Sequence, residues 1–265
     1  MIRRSNMSQK LYRTMIELTN HKLSANMIKS FSQSKLSKLV VPSFAKTYKI
    51  NLKEMKEPIH TYPTLQKFFI RTLKPGARPI DQAKDTVVSP VDAVLEKFGT
   101  ITDNLEMIVK DKKYSIQDML EDKNVAEKYM GGTFMLLYLS PSHYHRIHSP
   151  ASGEITNQWT LGTKSYPVNR LGLKYGKDTL SKNFRKVTEM VHNNKHVAIV
   201  KVGAMFVNSI ELTHEGTSLK KGEEMAYFSF GSTVILLFEK DSFTIDSKLT
   251  DKADVFVGQR IGKWN

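Results

Sequence analysis

The sequence predicts an α+β protein with a mainly antiparallel β core that is preceded by basic amphipathic N-terminal helices. From about residue 86 onward, short β-favouring runs alternate with Gly, Pro and Asn turns, which is typical of antiparallel strands. Residues 9–41 instead show helical spacing of apolar side chains. Residues 1–50 carry ten basic side chains and one acidic side chain, within a net charge of +14 for the 265 residues. This asymmetry indicates an anionic partner, either a membrane surface or nucleic acid.

Two or three short helices are predicted in residues 9–41, with breaks at Thr19-Asn20 and at Ser32-Gln33-Ser34. Apolar side chains recur every three or four positions in two sets, first at Leu11, Met15 and Leu18 and then at Leu23, Met27 and Phe31. One interpretation is a set of helices lying in a membrane interface, because basic residues accompany the apolar stripe. The other is ordinary packing on the protein's own domain, and the two are compatible.

A proline-rich join follows this helical segment. Residues 51–85 contain four prolines and a short helical pattern at Thr64–Thr72, as expected between two parts of a chain. We therefore predict a membrane-associating segment at residues 1–60 and a β-rich domain at residues 61–265. The strand patterns of that domain are Thr86–Val88, Val94-Leu95, Phe134–Leu139, Val197–Val202 and Ala204–Leu212. One helix is expected at Tyr114–Tyr129, and a long, functional loop at Ser165–Gly176.

The most informative strand pattern is Tyr227–Glu239, Y-F-S-F-G-S-T-V-I-L-L-F-E. Two apolar runs flank Gly231-Ser232-Thr233, and a glycine inside such a run marks a bulge, a bend or a close approach. Ser232 follows this glycine, and its hydroxyl could act as a nucleophile if another group activates it. The plain alternative is a bulge whose hydroxyl only satisfies a backbone carbonyl.

Three of the eight histidines lie within the segment Leu139–Pro150, L-S-P-S-H-Y-H-R-I-H-S-P. In an extended chain His143 and His145 would point one way and His148 the other. A metal site is one interpretation, but the spacing is not that of a metal-binding helix and no acidic residue lies nearby in sequence. General base catalysis is the other, because histidine is the usual base near neutral pH.

An aspartate stands inside an apolar run at Val88–Val94, V-S-P-V-D-A-V. Asp92 needs a partner there, because burying an unpaired carboxylate is costly. It could cap a turn by accepting backbone N–H bonds. It could instead complete an Asp–His–Ser set, in which the acid orients an imidazole that activates the serine.

These stretches together carry a family resemblance. S-P-V-D at Ser89–Asp92, the histidine segment Leu139–Pro150 and F-G-S-T-V-I-L-L-F-E at Phe230–Glu239 resemble phosphatidylserine decarboxylase of the shorter bacterial, membrane-associated type. The motifs occur in the order and approximate spacing of that family. The similarity extends over essentially the whole chain, including the basic N-terminal helices.

The resemblance implies a proenzyme that cleaves itself by serinolysis. Ser232 would attack the carbonyl of Gly231, and elimination would separate a β chain, residues 1–231, from an α chain, residues 232–265. The new terminus would become a covalent pyruvoyl group derived from Ser232. His148 matches the base of this processing step, and Asp92 matches the acid that orients the base.

The resemblance also implies the reaction of the mature enzyme. A Schiff base between the pyruvoyl group and phosphatidylserine would lose CO2 and yield phosphatidylethanolamine, and His145 matches the position implicated in that step. No metal is called for. The expected partners are phosphatidylserine in an anionic membrane and the enzyme's own two chains as a heterodimer, which could pair into a homodimer; nucleic acid is not expected. The expected location is the cytoplasmic face of the cell membrane, as a peripheral protein.

One position departs from the family pattern. Ala93 follows Asp92 where the family usually has glycine, and a backbone with positive φ would strain an alanine. Two other function classes compete with the decarboxylase. A serine hydrolase could use Asp92, His148 and Ser232 without self-cleavage, although the G-x-S-x-G pattern is absent. A basic lipid-binding or nucleic-acid-binding module would account for the charge alone.

Overall fold

The computed structural model describes residues 22–109, 112–166, 168, 173, 178–204, 210–229 and 232–265. Its strands are β1 Thr86–Val88, β2 Ala93–Thr100, β3 Glu106–Val109, β4 Lys112–Ser115, β5 Thr133–Leu139, β6 Arg146–His148, β7 Gly153–Leu161, β8 Arg185–His192, β9 Lys195–Gly203, β10 Ile210–Leu212, β11 Ser218–Leu219, β12 Glu224–Phe228, β13 Ser232–Phe238, β14 Phe243–Ile245, β15 Asp254–Val255 and β16 Arg260–Trp264. Its α-helices are α1 Lys22–Gln33, α2 Val41–Thr47, α3 Leu65–Phe69, α4 Ile116–Leu120, α5 Lys123–Glu127 and α6 Thr179–Lys182. Three 3-10 helices, Lys35–Val40, Leu52–Glu54 and Ile59–Thr61, lie between α1 and α3.

The strands form one large sheet and three small ones. The large sheet has eight strands in the order β11-β7-β8-β9-β13-β5-β2-β15. The small sheets have the orders β1-β16-β14, β10-β12-β6 and β3-β4. The named strands pair in antiparallel fashion. The predicted α+β class with a mainly antiparallel core is therefore confirmed.

Strand β13 lies inside the large sheet and is buried along its whole length. It pairs with β5 on one side and with β9 on the other. Val234, Leu236 and Phe238 face one hydrophobic cluster, whereas Ile235 and Leu237 face a second cluster across the sheet. Burial on both faces explains why this strand is a continuous apolar run rather than an alternating one.

The N-terminal helices have their own small apolar core. Helix α1 ends at Gln33, where the Ser32-Gln33-Ser34 break was predicted. Side chains between Val41 and Ile70 form a third cluster, against which Tyr227 of β12 packs. The residues before Lys22, including the predicted break at Thr19-Asn20, lie outside the described residues, and the division at residue 60 stays a prediction.

The single helix predicted at Tyr114–Tyr129 is wrong. Strand β4 continues to Ser115, and two five-residue helices, α4 and α5, follow it. Glu121 ends α4 in the left-handed region, at φ 51°. The Asp122 side chain then caps α5 by accepting a hydrogen bond from the Val125 N–H. A left-handed residue followed by an N-cap breaks the helical register that the apolar spacing suggested.

Candidate active site

Ser232 is the first residue of β13, opposite Leu139 of β5 and Gly203 of β9. Its side chain is fully buried, and its Oγ has no hydrogen-bond partner in the described part of the chain. No backbone carbonyl of the described residues accepts a hydrogen bond from this hydroxyl. The preceding Gly231 lies outside the described residues.

His148 ends strand β6, and its backbone N–H donates to the Pro90 carbonyl at 2.8 Å. Its Nδ1 lies 2.8 Å from the carbonyl oxygen of Gly222, so Nδ1 must carry the proton. Its Nε2 lies 3.3 Å from the Tyr144 hydroxyl. Burial lowers the pKa of His148 below its ordinary value, more than the Gly222 carbonyl raises it. His148 is thus a neutral imidazole with a basic Nε2 at neutral pH.

His145 is fully buried beside α3, and its ring centroid lies 3.9 Å from that of Phe69. Its Nδ1 lies 2.9 Å from the carbonyl oxygen of His143 and must donate to it. Its Nε2 is buried without a partner among the residues that the structure describes. Burial holds the pKa of His145 well below its ordinary value. This imidazole can accept a proton only at Nε2.

His143 lies in a turn, so the extended-chain alternation expected of the three histidines is wrong at this position. The Ser140 N–H donates to His143 Nδ1 at 3.0 Å and closes the turn locally. Across the described ranges, no three His, Asp or Glu side chains converge on a point where a metal ion could sit.

Asp92 is buried and fully partnered, but not by His148. Arg78 donates to its carboxylate through Nε at 2.9 and 3.0 Å and through Nη2 at 2.6 Å. The Val257 N–H donates to Oδ1 at 2.9 Å, and Arg78 Nη2 also reaches Glu54 at 3.0 Å. Asp92 still acts on His148 through its field, which raises the pKa of that imidazole. Asp92, His148 and Ser232 thus do not form a hydrogen-bonded chain in this structure.

Two arginines that contact these residues were not predicted from the sequence. Arg78 holds Asp92, and Arg71 follows α3 and donates through Nη2 to the carbonyls of Ser142 and His143, at 2.9 and 3.0 Å. A usable signal for Arg71 was its position directly after the apolar run Phe68–Ile70. For Arg78 the neighbouring sequence gave no sign that its partner would be Asp92.

Comparison with known proteins fixes the family. The model of the phosphatidylserine decarboxylase family matches residues 65–263. The chain belongs to this family. The phosphatidylserine decarboxylase proenzyme of Anoxybacillus flavithermus is 63% identical over 252 residues, which is 95% of each chain. That of Geobacillus sp. is 62% identical over 95% of this chain and 97% of the relative, and that of Bacillus thuringiensis is 52% identical over 96% and 97%. The resemblance stated above is confirmed.

The family's usual glycine after the aspartate is not required by the backbone of this decarboxylase-family chain. Ala93 opens β2 opposite Val255. It is absent from the residues with positive φ, so the strain that an alanine would suffer there does not arise. The alanine therefore fits its position beside Asp92.

Proposed function

We propose that this chain is the proenzyme of a phosphatidylserine decarboxylase that cleaves itself between Gly231 and Ser232. The Ser232 hydroxyl carries the proposal, because it is fully buried and its Oγ has no partner among the described residues. Leaving such a group unsatisfied costs about 1–3 kcal/mol, and service as a nucleophile is a reason to retain it. The word "proenzyme" in the names of the relatives gives further support.

In the cleavage step, Ser232 Oγ attacks the Gly231 carbonyl and the peptide bond becomes an ester. Loss of the Ser232 α-proton then breaks the ester C–O bond, releases the Gly231 carboxylate and leaves a dehydroalanine. Addition of water and loss of ammonia give the pyruvoyl terminus. His148 takes the serine proton, and its low pKa keeps its Nε2 available at neutral pH.

We infer that Asp92 assists cleavage through its negative charge rather than through a hydrogen bond to His148. The Asp92 carboxylate, held between Arg78 and the Val257 N–H, favours the imidazolium that forms when His148 accepts a proton, because its negative charge raises the pKa of that imidazole. A direct hydrogen bond to His148 would require the carboxylate to leave one of these partners.

The mature enzyme would convert phosphatidylserine to phosphatidylethanolamine and CO2. The pyruvoyl ketone supplies the electron sink that the departing carboxyl group needs. The residues present fit such a group, because both the Ser232 Oγ and the His145 Nε2 are buried without partners in the described ranges. His145 Nε2 would first accept the proton that the amino group of the substrate gives up, and would then deliver it to the carbon that loses CO2. The burial of His145 keeps water from competing for that nitrogen.

The two products of cleavage would stay together as a heterodimer of residues 1–231 and 232–265, because β13 pairs on both sides with strands of the longer chain. A further pairing of two heterodimers stays a prediction.

We also propose peripheral attachment to an anionic membrane through the N-terminal helices. Met27, Leu36 and Leu39 are 73%, 69% and 81% exposed. Lys35 and Lys38 are exposed between them. Apolar side chains next to lysines suit a helix that lies in a lipid interface. No helix in the described ranges has the length and hydropathy to cross a bilayer. The cytoplasmic face stays a prediction.

The deciding experiment is the intact mass of the purified protein under denaturing conditions. We expect two species, residues 1–231 and a 34-residue chain, residues 232–265, that is one ammonia lighter than hydrolysis alone would give. The Ser232→Ala variant should give one full-length mass. Ser242→Ala is the matched control, because Ser242 is also a buried serine but its Oγ donates to the Glu239 carbonyl. Two masses from Ser232→Ala would remove Ser232 from its role.

No observation favours the serine hydrolase. Like the proposed cleavage, a serine hydrolase would require the Ser232 hydroxyl to donate to His148 Nε2, and Ser232 Oγ has no partner within the described residues, so this contact does not distinguish the two. A single full-length mass for the unmodified protein would nevertheless return it to consideration.

A further inference from the structure

Arg71 is a buried charge with most of its hydrogen-bonding capacity unused. Its side chain is 4% exposed, and it follows the short helix α3. Nη2 donates to the Ser142 and His143 carbonyls. Nε and Nη1 are buried without a partner in the described part of the chain. Three of the five N–H groups of the guanidinium are therefore unused.

Among the residues that the structure describes, no carboxylate forms an ion pair with this guanidinium. Asp92, the acid that acts most strongly on it, is already bound by Arg78. Burial lowers the pKa of Arg71 to about 10, so it stays charged at neutral pH. An uncompensated buried cation is costly, and a planar fork of donors matches the oxygens of a phosphate group. Both facts point to an anionic ligand that supplies the missing partner.

Arg71 lies at the proposed reaction centre. Its Nη2 and the Nδ1 of His145 contact the same atom, the His143 carbonyl oxygen, at 3.0 and 2.9 Å. The turn that contains His143 directly follows Leu139, the residue opposite Ser232 in the sheet. Arg71, His145 and Ser232 therefore lie at one end of the large sheet, each with a buried polar atom that has no partner among the described residues.

The lipid headgroup carries two anions, a carboxylate and a phosphodiester. A guanidinium bound to the carboxylate would slow the reaction, because that negative charge moves away as CO2 leaves and the ground state would be held more tightly than the transition state. The phosphodiester keeps its charge throughout the reaction. We propose that Arg71 binds the phosphodiester of the phospholipid substrate and so holds the headgroup beside residue 232. This inference rests on the proposed decarboxylase function.

The test compares Arg71→Gln and Arg71→Met with the unmodified enzyme in detergent micelles. We expect both variants to cleave into two chains, and KM for phosphatidylserine to rise at least tenfold while kcat changes little. A contact that is equally strong in the ground and transition states has this kinetic effect. Arg260→Met is the matched control, because it removes a half-exposed cation whose partner is Asp246; its KM should not change.

Two soluble competitors identify the anion. Glycerophosphoethanolamine carries the phosphodiester without the carboxylate, and L-serine carries the carboxylate without the phosphodiester. Inhibition by glycerophosphoethanolamine should weaken in Arg71→Gln, whereas inhibition by serine should persist. Loss of serine inhibition instead would overturn the proposal, since Arg71 would then bind the carboxylate.

The remaining outcomes distinguish a failure of the Arg71 proposal from a failure of the proposed decarboxylase function. Cleaved Arg71→Gln with an unchanged KM would overturn the role of Arg71 and leave the decarboxylase intact. An uncut Arg71→Gln beside a cut, unmodified protein would also overturn it, since Arg71 would then serve maturation. If Arg71→Met does not fold, Arg71→Gln still decides, because its amide can donate to the Ser142 or His143 carbonyl. A single full-length mass for the unmodified protein would instead be a failure of the proposed function.

Discussion

Two histidines three residues apart differ in a way that separates their proposed tasks. His148 Nε2 lies near the Tyr144 hydroxyl, whereas His145 Nε2 is buried without a partner in the described ranges. Both imidazoles have lowered pKa values because both are buried. In the proposed function, His148 removes a proton from the chain itself, whereas the unpaired Nε2 of His145 acts on the substrate.

Replacing these histidines should therefore block different steps. We expect His148→Ala to slow cleavage by about 10²-fold or more, the usual contribution of a general base. His145→Ala should be cut into two chains but lose decarboxylation by a similar factor. Intact mass measures the first effect, and CO2 release from phosphatidylserine measures the second. His60→Ala is the control, because His60 is exposed in a 3-10 helix. Normal cleavage of His148→Ala would remove it from the role of base.

The Ala93→Gly variant tests whether the glycine that the family usually has after the aspartate matters for cleavage or stability. Its backbone lies in strand β2 without a positive φ, so glycine relieves no strain there. Ala93→Gly should leave the cleavage rate unchanged and lower the free energy of unfolding by about 0.5–1 kcal/mol, because glycine loses more conformational freedom on folding. Time courses of cleavage and urea titrations measure the two quantities. Faster cleavage in the variant would mean that the alanine hinders maturation.

At the scale of elements, strand β9 contains a buried cation inside the large sheet. Lys201 is fully buried, and its Nζ donates to the Thr188 hydroxyl at 2.6 Å and to the Ile199 carbonyl at 3.4 Å. Burial lowers its pKa to about 7, and the charge of Lys186 lowers it further in the same direction. Such a lysine loses its proton on folding when the pH lies above that value.

This lysine should make stability depend on pH. Between the folded pKa of about 7 and the unfolded pKa of about 10.4, the unfolded chain binds one more proton than the folded chain. The free energy of unfolding should thus rise with pH through this window, by up to about 1.4 kcal/mol per unit. Lys201→Met should remove this slope and stabilise the protein near pH 7. Urea titrations at several pH values in the uncut Ser232→Ala background measure it; equal slopes with and without Lys201 would contradict it.

The elements also show what could be predicted from the sequence. Strand β13 was predictable because five of its seven residues, Val234–Phe238, form a continuous apolar run that is typical of a strand buried on both faces. The single helix at Tyr114–Tyr129 failed because apolar spacing does not reveal a left-handed residue at Glu121. The candidate residues Asp92, His145, His148 and Ser232 were found from motifs. Their contacts were not, because Arg78 and Gly222 reach the site only through tertiary packing.

At the scale of the whole molecule, exposed apolar side chains and lysines alternate along the N-terminal helical segment. Leu39 is 81% exposed between Lys38 and the start of α2. Inserting a leucine into an apolar medium contributes about 1.5–3 kcal/mol, so Leu39→Glu should weaken binding to anionic vesicles about tenfold or more. Vesicle sedimentation measures the affinity. Ile108→Glu is the control, because Ile108 is 46% exposed but lies on β3 in the β-rich part. Equal losses in both variants would contradict a membrane surface at the helices.

The position of β13 between β5 and β9 has a consequence for reversibility. If the chain is cut before Ser232, the shorter product supplies β13 and also β16, which pairs with β1 of the longer product. The folded pair should stay associated on dilution, because many hydrogen bonds and apolar contacts must break together. Once denatured, however, the two polypeptides diffuse apart, and regaining the native state becomes a second-order encounter. Renaturation of the cut protein should therefore depend on protein concentration, whereas that of the Ser232→Ala chain should not.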